Sequence, residues 1–254
     1  MLASPFLLTT LAGLSTGLGG MIAAAFRPTP RLLAACAGFA GGVMLTVSLA
    51  DLAPAAMEFY AAYLPPLGCG AAVAGMLAAG MVVAVLLSRL LPDEAALAAR
   101  FGTGAAAMRA ALVTGAALLL HNLPEGILTL FAGVADPQLG LRTALAIALH
   151  NIPEGLAVAV PFAYATRSRG KGAAAALASG LAEPAGALLA YFFFHDLFTP
   201  GFLNGTVVLV AGIMLWVAAA QLLPDAFAGR QRMAGSMGLA LGCLTMLLGI
   251  AALP

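Results

Sequence analysis

Apolar residues run along this chain in stretches of about twenty, divided by short breaks that hold most of the prolines and charges. About twenty apolar residues, rising 1.5 Å each as a helix, span the roughly 30 Å hydrocarbon core of a bilayer. Eight such stretches fall near residues 6–26, 32–53, 64–88, 110–132, 143–165, 173–195, 202–223 and 233–253. A transmembrane β-barrel would alternate apolar and polar positions over short segments. The long Ala, Leu and Gly runs alternate nowhere. The pattern predicts an all-α, polytopic membrane protein with eight transmembrane helices. No stretch between them is long enough to bury a core of its own. Residues 1–254 are therefore expected to form a single transmembrane domain.

Composition agrees with that pattern: 63% hydrophobic and 8% charged residues cannot make the surface of a soluble globule. Charge adds an orientation. Arg27 and Arg31 follow the first helix, Arg89, Arg100 and Arg109 the third, Arg167, Arg169 and Lys171 the fifth, and Arg230 and Arg232 the seventh, whereas Arg142 lies on the other side. Cytoplasmic loops collect Lys and Arg, so the odd-numbered connections are expected inside and both termini outside. The first stretch lacks the positive leading region of a signal peptide and reads as a mature helix. Cys36, Cys69 and Cys243 are too scattered for a disulfide framework or a thiolate cluster and read as packing residues. Small residues four apart, such as Gly13/Gly17 and Gly38/Gly42, allow close helix packing.

The candidate chemistry lies in helices 4 and 5. His121-Asn122-Leu123-Pro124-Glu125-Gly126 is repeated as His150-Asn151-Ile152-Pro153-Glu154-Gly155. Residues four apart share a helix face, so each motif offers an imidazole and a carboxylate together. Two adjacent helices then supply four ligands, a set suited to zinc and other first-row divalent ions. A carboxylate near the bilayer centre costs about 2.5–3.5 kcal/mol on insertion scales. No Lys or Arg within either run offsets it, which leaves a cation or a proton. Two carboxylates and two neutral imidazoles carry the charge that one divalent ion cancels. Pro124 and Pro153 deprive the carbonyls of Leu120 and Leu149 of their helical partners, a defect tolerated where it lines a polar cavity. Asn122 and Asn151 are either ligands or amides that join helices. Glu183, followed by Pro184 in helix 6, reads as a further ligand or bridge.

The paired His-Asn-x-Pro-Glu-Gly motifs, the Glu183-Pro184 pair and the eight-helix layout resemble the ZIP (Zrt- and Irt-like) metal transporters, in particular their bacterial zinc-uptake branch. The resemblance extends to Gly42-Val43-Met44-Leu45 with Ser48 and Asp51 in helix 2. It implies a binuclear centre, with His121, Glu125, His150 and Glu154 at one site and Asn122, Asn151, Glu154 and Glu183 at the other. It also implies uptake of zinc, and of iron, manganese, cobalt or cadmium, across the bacterial inner membrane, and an elevator-like motion of helices 1, 4, 5 and 6 against a dimerising scaffold. The metal ions, two at most in the centre, are cargo; no prosthetic group and no nucleic acid are implied. Two departures stand out. Some members carry Asp where this chain has Asn151, and Gln221 in helix 7 replaces a carboxylate common in related chains.

Other polar residues have plainer readings. Asp51 is a candidate for the external entrance or a hydrogen-bonding partner of helix ends. His195 and Asp196 read as a solvated helix end, and Asp93, Glu94 and Asp225 as interfacial ion-pair partners. An intramembrane metal-dependent hydrolase is the alternative function, but it needs an open coordination position and a separate general base, typically in His-Glu-x-x-His. That motif is absent. The chain is expected not to be an enzyme.

Overall fold

The computed structural model describes residues 3–194 and 199–252, so His195 and Asp196 lie outside the described residues. Among those described, eight helices are long and apolar enough to cross a membrane: α1 (Ser4–Ala25), α2 (Pro30–Ala61), α3 (Pro66–Leu90), α4 (Glu94–Ala135), α5 (Pro137–Thr166), α6 (Arg169–Phe193), α7 (Pro200–Phe227) and α8 (Gly229–Ala252). Their starts are written locally. Prolines open α2, α3, α5 and α7, where the missing N–H is no loss. Thr29, Asp136, Ser168 and Thr199 accept hydrogen bonds from first-turn amides of the helices they precede.

The segment between the apolar stretches that end near 88 and begin near 110 is largely helical. Asp93 caps the helix Glu94–Phe101, accepting from the Ala96 amide at 2.8 Å, and a 3-10 turn at Gly102–Gly104 leads into Ala105–Ala135. Hydropathy sets depth rather than helicity, and Ala is the strongest helix former, so this Ala-rich stretch is helical beyond the apolar runs. Asp93 thus serves as a cap, and no ion pair joins Asp93, Glu94 or Asp225 to a cation among the described residues.

Packing divides the helices into two groups. At Gly126 a Cβ would overlap the Glu183 carbonyl of α6, and at Gly186 the Leu123 carbonyl of α4. Gly19 and Gly155 make the same reciprocal approach between α1 and α5, and Gly13 and Gly180 between α1 and α6, so α1, α4, α5 and α6 are held backbone to backbone. Gly80 and Gly212 join α3 to α7, and Gly38, Gly42, Gly238 and Gly242 join α2 to α8. Among the described residues no glycine brings backbone to backbone across the groups; Gly249 of α8 meets only the Leu149 side chain. The seam is instead a layer of side chains: Val43, Met44 and Val47 from α2, Leu118 from α4, Val158 from α5, and Met214 and Val217 from α7.

α2 and α7, which cross in opposite directions, carry related sequences. Gly42, Met44, Leu45, Val47, Ala50, Leu52 and Pro54 match Gly212, Met214, Leu215, Val217, Ala220, Leu222 and Pro224 at equal spacing. In both, a π-helical turn precedes the proline, at Ser48–Leu52 and Ala218–Leu222. A widened turn makes room for a ring that would otherwise meet the carbonyl four residues back.

Candidate metal centre

The seven predicted ligand residues lie in one helix group, and all are buried, with Glu125 the most exposed at 8%. α4 continues through Pro124 and α5 through Pro153, which keeps each imidazole above the carboxylate four residues on. The motif faces then meet. His121 Nε2 is 3.3 Å from Glu125 Oε1 on its own helix and 3.3 Å from Glu154 Oε1 on α5. His150 Nε2 is 3.0 Å from Glu125 Oε1. One ligand atom each from His121, His150 and Glu154 falls within 4.8 Å of the others.

These approaches are only partly hydrogen bonds. The His150–Glu125 contact is one, but His121 Nε2, despite two carboxylates within 3.3 Å, has none. Both Glu154 oxygens, Glu125 Oε2 and both Nδ1 atoms also lack partners. Buried polar atoms are rarely left so. Two donors each about 2.0–2.1 Å from a tetrahedral zinc ion stand about 3.3 Å apart. The observed spacings suit atoms arranged around a shared cation.

The asparagines and Glu183 lie beside this group. Asn122 Nδ2 donates to the Ser179 carbonyl of α6 at 3.1 Å, and Asn151 Nδ2 donates to the Ala12 carbonyl of α1 at 3.0 Å and to Glu183 Oε1. The amide N–H groups therefore join helices. Asn122 Oδ1, Asn151 Oδ1 and Glu183 Oε2 have no partner, which leaves three oxygen donors of the kind a second divalent ion takes. Sequence reasoning passed over Ala12 and Ser179 because backbone carbonyls leave no side-chain signature.

Two cavities differ in their reach to the centre. A cavity of about 180 Å³ is lined by Asp51, Thr143 and Val207 and reaches Glu125 and His150. Half-buried Asp51 lines the same cavity as His150, so it stands at an approach to the site. A second cavity of about 230 Å³, on the side of Arg31 and Arg230, is lined by Cys36, Thr103, Thr114, Tyr164, Asp225 and Gln231 and touches none of the seven residues. The apolar seam lies between the two. Cys36, read as a packing residue, and Asp225, read as an ion-pair partner, both line this second cavity; their neighbours come from distant parts of the chain, which spacing along the sequence does not disclose.

Comparison with known proteins places these features in a wider set. The family model described as ZIP Zinc transporter matches residues 99–250. The zinc transporter ZupT of Corynebacterium efficiens is 40% identical over 251 residues, covering 95% of this chain and 94% of that protein. The zinc transporter ZupT of Akkermansia muciniphila is 40% identical over 258 residues, with 95% and 94% covered. The zinc transporter ZupT of Chlorobium chlorochromatii is 37% identical over 237 residues, covering 87% of each chain.

Proposed function

The chain belongs to the ZIP zinc transporter family, and from that premise we propose that it carries zinc into the cytoplasm through the buried His–Glu centre between α4 and α5. It is a multi-pass bacterial membrane protein and a divalent-metal transporter rather than an enzyme. His121, Glu125, His150 and Glu154 form the first cargo site. The single observation that carries this reading is His121 Nε2 with two carboxylates at 3.3 Å and no hydrogen bond to either. Asn122, Asn151, Glu154 and Glu183 form a second site through their free oxygens, weaker for lack of a third carboxylate. Nitrogen and oxygen donors also accept iron, manganese, cobalt and cadmium. A hydrolase needs a coordination position open to water, and four protein donors close it.

The concentration of basic residues in the odd-numbered connections supports an orientation with both termini outside. On that orientation the Asp51 cavity opens outward and the Cys36 cavity inward, so the centre faces out. Delivery requires the site to pass the seam. Glycine-mediated backbone approaches hold α1, α4, α5 and α6 together, whereas an apolar side-chain layer faces α2 and α7, which supports movement of the first group as one body. The least buried helices, α3 and α8, belong to the second group and supply the face for a homodimer.

Zinc uptake into proteoliposomes tests the proposal. His121→Ala and Glu154→Ala are expected to reduce uptake to the level of empty vesicles while the proteins elute as folded species. Wild-type uptake by either folded variant would overturn the assignment of the site.

A further inference from the structure

Five of the eleven Lys and Arg residues gather where the odd-numbered connections meet α4, α5 and α6: Arg27, Arg100, Arg167, Arg169 and Lys171. They line two adjoining hollows that share Arg167. One, of about 640 Å³, has Arg100, Arg167 and Lys171 at its rim and Leu97, Leu112 and Phe162 along its wall. The other, of about 450 Å³, brings Arg27 and Arg169 to Arg167, beside Thr103 and Tyr164. All five cations are exposed, and none is in an ion pair with a carboxylate of the described residues. The acidic pair on the packed helix, Asp93 and Glu94, lines neither hollow. Arg167 ends α5 in the left-handed region, at φ 54°, and α6 begins two residues later with Ser168 as its cap. The positive end of the α6 dipole thus adds to the cations.

We propose that this double hollow binds an anionic phospholipid of the cytoplasmic leaflet, phosphate among the cations and acyl chain along the Leu97–Leu112–Phe162 wall, and that the bound lipid modulates transport. The inference rests on the orientation and transport reading given above. Basic pockets at the cytoplasmic ends of transmembrane helices suit phospholipid headgroups, and the apolar wall favours a lipid over free phosphate, which would leave it bare. The lining residues come from α4, α5, α6 and the connection leaving α1; none comes from α2, α3, α7 or α8. A lipid held there contacts only the group that carries the cargo site. Displacing that group across the membrane would shift its cations relative to the headgroup plane, so the lipid biases the resting position.

The test uses the purified full-length protein, with Arg167→Gln, Arg169→Gln and Lys171→Gln combined in one variant. Native mass spectrometry after exposure to phosphatidylglycerol or phosphatidylcholine reads the lipid directly. The wild type is expected to retain phosphatidylglycerol selectively, and the triple variant to hold it more weakly by about fivefold per cation removed. Zinc uptake by the wild type is expected to change when phosphatidylglycerol is added to phosphatidylcholine vesicles, and uptake by the variant to ignore it. Equal retention of the two lipids by the wild type, or undiminished retention by the variant, overturns the proposal; so does displacement of the lipid by inorganic phosphate, which marks a free-phosphate site. A wild type that keeps the lipid but moves zinc in no vesicle would defeat the transport reading and leave the lipid site standing.

Discussion

In α1, α4, α5 and α6 the buried polar set includes two imidazoles, three carboxylates and two amides, whereas in α2, α3, α7 and α8 it comprises only Thr46, Ser48 and Ser88 among the described residues. Both groups are closed by glycines that let backbones touch, so tight packing is not what separates them. They differ in what they enclose. A body that carries a desolvated charge must keep its ligands in register, because a donor displaced by an ångström no longer completes the shell. On the proposed movement, the second group needs a surface without polar groups, since each would require a bonding partner at every position. The Val, Met and Leu seam meets that need.

The sharpest way to break this comparison is to disturb the packing of the ligand-bearing group. In Gly126→Ala the new methyl would overlap the Glu183 carbonyl, forcing apart the two helices that present Glu125 and Glu183. Overpacking of this kind typically costs about 1–3 kcal/mol, and here it is expected to remove zinc binding as well. Gly75→Ala on α3, with nothing within 4 Å of the added carbon, is expected to stay within about 0.5 kcal/mol of the wild type. Thermal unfolding in detergent with and without zinc checks both. Equal destabilisation would show that the Gly126 approach to the α6 backbone carries no energetic weight.

A smaller perturbation leaves the site intact and blocks the seam. Leu128 of α4 and Val207 of α7 line one apolar cleft between the groups, whereas Phe6 of α1 and Tyr191 of α6 pack ring to ring at 5.7 Å within one group. In a background with Cys36, Cys69 and Cys243 replaced by Ser, a short reducible cross-linker between Leu128→Cys and Val207→Cys is expected to stop zinc uptake, with recovery on reduction. The same reagent between Phe6→Cys and Tyr191→Cys is expected to leave uptake largely unchanged. Continued uptake across a bridged seam would rule out relative movement of the two groups.

Much of this architecture was legible in the chain, for identifiable reasons. Eight apolar runs gave eight helices because bilayer thickness fixes a length that composition alone can meet. The convergence of His121, Glu125, His150 and Glu154 was legible because His121/Glu125 and His150/Glu154 are spaced at the period of a helix face. That the Asn122 and Asn151 amide N–H groups join helices was not, since it depends on the Ser179 and Ala12 carbonyls, far away in sequence. The helix at Glu94–Phe101 was missed because hydropathy stood in for secondary structure. The correspondence of α2 with α7 was overlooked because only seven scattered identities carry it, and the paired π turns make it plain.

That correspondence supplies the mildest test. Asp51 and Gln221 occupy equivalent positions, each three residues before a proline and each within a π turn, yet only Asp51 bears a charge and only Asp51 lines the cavity that reaches Glu125 and His150. A carboxylate at the mouth of a low-dielectric approach raises the local concentration of a cation without joining its final shell. Asp51→Asn is therefore expected to raise the KM for zinc about threefold at low ionic strength while kcat stays within about twofold. The KM difference should shrink as salt screens the approach. Gln221→Asn, which keeps a neutral amide, is expected to leave KM unchanged. If Asp51→Asn lowered kcat and left KM alone, Asp51 would act on the movement of the helices rather than on capture of the ion, and the two π turns would have to be read as equivalent hinges.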